Sequence, residues 1–223
     1  MDLVKHLEYF NPETLRNAEI HVIGLGAIGS HVCEMMARTG IPKIDVYDFD
    51  TVEDHNLANQ NYFADDIGLA KTEATAKNCN RINPEMQIRM HNKGWEPGTR
   101  LSGFVFICVD NIDLRRQIVT DNQYNTTIDA MFDFRMGLED AQHYACDWSK
   151  QENIEAFLST MNFTHEEAKE AMPISACGTT LSIAATVKSI VCDGISNWIN
   201  FVRTKQLSKL IMHNTFKYQY LNM

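Results

Sequence analysis

The stretch from Ile20 to Asn61, IHVIGLGAIGSHVCEMMARTGIPKIDVYDFDTVEDHNLANQN, holds the residues best suited to chemistry. An apolar run leads into Gly24-x-Gly26-x-x-Gly29, followed by an amphipathic segment, a second apolar run and the acids Asp48 and Asp50. Glycines at this spacing permit a tight turn and let a phosphate approach the backbone. The helix that follows aims its free N–H groups at the anion. An acid about 20 residues further on lies where a ribose hydroxyl would sit. The expected chemistry is nucleotide binding.

Positioning such a site requires alternating strands and helices. Apolar runs predict strands near 20–24, 44–48, 86–91 and 104–109, with helices at 28–39, 71–82 and 111–123. That alternation implies an α/β fold, a doubly wound Rossmann-like and mostly parallel sheet. Residues 2–10 suggest a short helix ended by Asn11-Pro12. From Thr127 to Cys146 the pattern shifts to shorter strands with charged interruptions, an antiparallel C-terminal extension. Residues 150–173 read as a mobile polar helical crossover. Apolar residues at 181, 184, 187, 191, 195, 198 and 202 make one helical stripe over 179–203, suited to a core or dimer face. The tail from Leu210 suggests one or two closing strands. The expected organisation is a single domain: an arm at 1–18, a nucleotide-binding core at 19–130, and crossover, long helix and sheet extension over 131–223.

With 223 residues the chain can bury one substantial core. Its net charge is −9, and no basic run exceeds a pair such as Arg115-Arg116, which argues against nucleic-acid or membrane-surface partners. The six cysteines form no C-x-x-C pair, so zinc is not expected and buried thiols are. The opening residues lack a basic signal region and no apolar stretch is long enough to span a bilayer. A soluble, cytoplasmic protein is expected.

A glycine fingerprint alone fits many enzymes. The runs DFDTVEDHNLANQN, DDIGLAK, RINP and FVFICVDNIDLRRQ, in order and with matching gaps, resemble the ThiF/MoeB/HesA family of ubiquitin-activating-type adenylyltransferases. The resemblance covers about Asn11 to Asp129 and, more faintly, Ser175 to Gly194. It implies binding of ATP and transfer of AMP to the C-terminal glycine carboxylate of a small ubiquitin-like protein or peptide, with release of pyrophosphate, by a homodimer. Carried over by position, Gly24, Gly26 and Gly29 form the glycine turn and Asp48 holds the ribose, with Asp50 on the same strand end. Asn56 and Gln60 form the polar turn beside the phosphates, and Lys71 binds phosphate. Asp110 associates with Mg2+, followed by Asn111 and Arg115. These residue types suit a carboxylate attacking a polyphosphate. Like-charge repulsion must be offset by positive charge, and an already ionised nucleophile needs no general base.

The chain departs from the family pattern at several points. Where the family turn has arginine, this chain has Asn59. Losing that charge would cost on the order of 100-fold or more in rate. The arm offers only Lys5 before Arg16 for a contact across a dimer. Cys177, in ISACG, falls where some relatives carry a cysteine, but nothing nearby in sequence shows how it would be activated. Arg115 could equally pair with Asp113 or other acids on its helix. Two other readings stay open: a weakened nucleotide-binding or interaction module of the same fold, and an NAD-dependent oxidoreductase.

Overall fold

A computed structural model describes residues 1–170 and 181–217. Its centre is a seven-stranded sheet in the order β3-β2-β1-β4-β5-β6-β7. The strands are β1 (Ile20–Ile23), β2 (Lys43–Tyr47), β3 (Gln87–His91), β4 (Gly103–Ile107), β5 (Ile128–Met136), β6 (Asp140–Asp147) and β7 (Leu210–Asn214). All neighbours are parallel up to β5, and the β5–β6 and β6–β7 pairs are antiparallel. This is the doubly wound, mostly parallel sheet with an antiparallel extension that the residue pattern implies.

The helices are α1 (Ala27–Arg38), α2 (Lys71–Ile82), α3 (Ile112–Asn122), α4 (Gln151–Ser159), α5 (His165–Glu170) and α6 (Ala184–Thr204). The period-two alternation of the strands divides them between two apolar layers. Ile20, Val22, Ile44, Val46, Phe104 and Phe106 pack under α1, α2 and α6; Ile23, Tyr47, Val105 and Ile107 pack under α3 and α4. The helical stripe on α6 is a core face. Val187, Val191, Ile195 and Trp198 are buried, and Trp198 stands edge-on against Phe104 and Phe106 with ring centroids 5.7 and 5.3 Å away. Gly194 lets α6 lie close over β5, since a Cβ there would lie 2.2 Å from the Phe134 ring.

Two local expectations change. Residues 4–9 are successive turns, and a short 3-10 helix at Pro12–Leu15, capped by Asn11 Oδ1 on Glu13 N–H, replaces a helix over 2–10. The short strands expected from 127 to 146 are two long ones, with the nine-residue β5 parallel to β4. Charge fails to interrupt β5 because the fully buried Asp133 pairs with both Arg115 and Arg135. The crossover is helical as expected, α4 and α5 over its described residues, and hydrogen bonds join it to β5 and α3. Arg135 donates to the Thr160 carbonyl (2.7 Å), Arg116 donates to the carbonyls of Met161 and Phe163, and Asp113 accepts from His165 N–H (3.3 Å).

Candidate functional site

β1 lies between β2 and β4, so their carboxyl ends are adjacent where the order of connection reverses, the place at which open α/β sheets bind ligands. Each glycine of the turn there has its own physical reason. Gly24 adopts φ +90°, and a Cβ would meet the Cys108 carbonyl at 2.9 Å; Gly29 passes so close that a Cβ would lie 1.8 Å from the Gly24 oxygen. Gly26 instead faces open space, with nothing within 4 Å of its Cβ position. It caps α1 without a side-chain partner, so the first N–H groups of that helix face the opening.

Asp48 closes this turn. Its Oδ2 accepts from Leu25 N–H at 2.6 Å and its Oδ1 from Asp50 N–H at 2.8 Å. A carboxylate has about four acceptor positions, so capacity remains for a sugar hydroxyl. The turn is braced from behind by groups that the sequence did not single out. Tyr62 OH donates to Leu25 O at 2.7 Å, and Ser30 Oγ donates to Gly26 O while accepting from Asn61 N–H. Nothing in the local pattern of NQNYF distinguishes Tyr62 from an ordinary core tyrosine.

The chain after β2 folds back on itself. Lys71 N–H donates to Asp50 O and Gly68 N–H to Val52 O, each at 2.9 Å. This ladder sets Lys71 Nζ 2.9 Å from Asp50 Oδ2, with the lysine 8% and the aspartate 50% exposed. Lys71 is the first residue of α2, where a helix favours negative charge, so a phosphate at Lys71 would have to share or displace Asp50. Both residues line a cleft of about 280 Å³ together with Phe49, Thr51, Glu53, His55 and Asn56. Asn56 is buried and its Oδ1 accepts from Glu53 N–H at 2.9 Å, fixing the turn. Gln60 Oε1 is buried without a partner among the described residues. The loop before α2 is anchored by buried Asp66, which accepts from Phe63 N–H, Asn78 and Lys77. Burial opposes its ionisation, yet these donors hold its carboxyl below the usual range.

Around β4 the expected residues separate. Asp110 is exposed just beyond the strand end and has no hydrogen-bond partner among the described residues. Asn111 caps α3, its Oδ1 accepting from Asp113 and Leu114 N–H. Arg115 is buried: it donates to Asp133, to Phe134 O at 2.6 Å and to Val109 O. Its guanidinium braces β4 against β5 and does not line the cleft; the partner of Asp113 is Arg116. Cys177 lies outside the described residues. Burial pushes the thiols of Cys79 and Cys146 up to about 12, and that of Cys108, beneath Gly24, higher still. Among the described residues no three His, Cys, Asp or Glu side chains are grouped to hold a metal. A second cavity, about 340 Å³ between α4, β6 and β7, is lined by Cys146, Phe157 and Leu210 and by none of the motif residues.

Residues 5–132 match the ThiF family. The chain belongs to the ThiF family. Among similar sequences, this ThiF-family chain is 30% identical over 152 residues to ubiquitin-like modifier-activating enzyme 5 of Caenorhabditis elegans, covering 66% of this chain and 33% of that protein. It is 35% identical over 135 residues to the Drosophila ananassae protein of the same name, covering 53% and 33%. The aligned part therefore spans about a third of these relatives. Solved structures share the fold at low identity. Escherichia coli tRNA N6-threonylcarbamoyladenosine dehydratase, TcdA, in complex with ATP gives a TM-score of 0.65 at 17% identity, covering 91% of this chain and 94% of that one. Escherichia coli MccB with ATP gives 0.62 at 16%, covering 92% and 65%.

Proposed function

We propose that this ThiF-family chain is an ATP- and Mg2+-dependent adenylyltransferase that activates the C-terminal carboxylate of a small ubiquitin-like protein or peptide and releases pyrophosphate. The observation that carries the reading is the arrangement at the strand ends. An uncapped helix N-terminus and Asp48 lie at the glycine turn, and two residues after Asp48 the chain reaches the Asp50–Lys71 pair and its cleft. In this reading Asp48 takes the ribose, Gly24 and Gly26 let the phosphates approach α1, and Lys71 steadies the departing pyrophosphate. Asp110, an exposed hard-oxygen carboxylate, fits Mg2+, which takes one or two carboxylates and completes its shell with phosphates and water. When bound, the ion would neutralise charge developing on the polyphosphate. Arg115 acts by holding the β4 end that carries Asp110.

The relatives support the chemical class. The enzymes matched by sequence are named as activators of a ubiquitin-like modifier, and MccB has been crystallised both with ATP and with MccA-N7isoASN. The reading takes the chain as one adenylation domain acting as a cytoplasmic homodimer; no helix among the described residues is long and apolar enough to cross a membrane. Asn59, at the family's arginine position, favours a second reading in which the domain binds nucleotide but turns over weakly.

ATP–pyrophosphate exchange with small proteins ending in glycine tests the proposal. Exchange that needs both Mg2+ and acceptor, and that Asp110→Ala abolishes with the fold retained, is the expected result. Binding of ATP without exchange across varied acceptors would leave only the second reading, and binding of NAD in place of ATP would overturn both.

A further inference from the structure

Lys71, the strongest positive charge of the cleft, is already paired with a carboxylate, which raises the question of what else there can meet an anion. Seven residues line the cleft, and their only nitrogen bases are Lys71 and His55. The charged groups that share the cleft with the imidazole are Asp50, Glu53 and Lys71, with Asp54 preceding it on the same 3-10 turn. His55 has a carboxylate beside it and a fixed turn beneath it. Its Nδ1 lies 3.3 Å from Glu53 Oε2, and the adjacent buried Asn56 locks the turn through Glu53 N–H. The ring is nonetheless 70% exposed, so it can be offered to a ligand. An imidazolium donates from both ring nitrogens, so one can meet Glu53 while the other meets a ligand. A cleft of this volume lined by both a lysine and an imidazole suits a phosphate chain.

We propose that His55 is a second phosphate-binding residue of the cleft, donating a ring N–H to the polyphosphate tail of the nucleotide alongside Lys71. The assignment rests on the nucleotide reading above and adds to it a ligand that the motif spacing did not mark. An imidazolium bonded to a phosphate oxygen makes a charge-assisted hydrogen bond. A nucleoside monophosphate, which lacks the tail, makes no such contact.

Calorimetry with Mg2+-ATP and with AMP tests this on wild type, His55→Ala and His55→Arg. In the expected result His55→Ala weakens ATP about tenfold and leaves AMP within about twofold. His55→Arg restores ATP affinity. Thermal melts coinciding with wild type show that the exposed side chain is not needed for folding. Equal loss of ATP and AMP affinity, or ATP affinity unchanged in His55→Ala, overturns the assignment while leaving the adenylation reading standing. Failure of the wild type to bind ATP overturns both.

Discussion

Replacing Lys71 by methionine separates the fold from the chemistry at one position. Methionine keeps an unbranched apolar stem in the nearly buried channel, so packing is conserved and only the charge is lost. The partner left behind, Asp50, is half exposed and can be hydrated, which places the stability cost at about 1 kcal/mol or less. The functional cost is of another order. Removing one donor aimed at charge that develops in the transition state typically costs about 100- to 1000-fold, or about 3–4 kcal/mol. Pyrophosphate exchange measured beside urea unfolding should therefore show a loss of at least about 100-fold with an almost unchanged midpoint. Exchange within about threefold of wild type would refute the role of Lys71. A loss accompanied by destabilisation of about 3 kcal/mol or more would mean that the lysine is structural and that the cleft argument is mistaken.

Two further perturbations probe the glycine turn and the core behind it. Gly29→Ala drives a Cβ into the Gly24 carbonyl and should destabilise by about 3 kcal/mol; Gly26→Ala, in open space, should leave stability within about 1 kcal/mol yet weaken nucleotide binding, as paired melts and calorimetry would show. His143 is fully buried against Phe132 and Phe134, and burial pushes its pKa down to about 4, partly offset by the Asp133 charge. Between pH 6.5 and 4 the unfolded chain binds a proton there that the folded chain does not, so folding stability falls as pH falls through that window, by about 3 kcal/mol in all. Subtracting the pH profile of His143→Phe from that of wild type isolates this slope; parallel profiles would show that His143 protonates equally in both states.

The order of elements along the first 130 residues could be read from the chain because period and punctuation are local properties. Strands alternating with amphipathic runs, and glycines at fixed offsets, dictate a parallel sheet with a tight turn at a helix N-terminus whatever lies elsewhere. The long α6 stripe was legible for the same reason. Less visible was which charges are structural. Arg115 follows Asp110 and Asn111 by spacing alone, but its guanidinium is turned inward because the buried Asp133, on a strand formed later in the chain, needs paired cations. That same pairing lets β5 run unbroken through residues that read as interruptions. Proximity across the fold also set the state of Lys71, whose Asp50 partner is 21 residues away in sequence, and placed His55, unmarked by any ligand spacing, at the same cleft. Sequence thus determined the layers, the glycine turn and the family, since these follow from local period and chirality. Tertiary structure decided which polar side chains remain available to a ligand, since that depends on which partners the folded chain brings within hydrogen-bond reach.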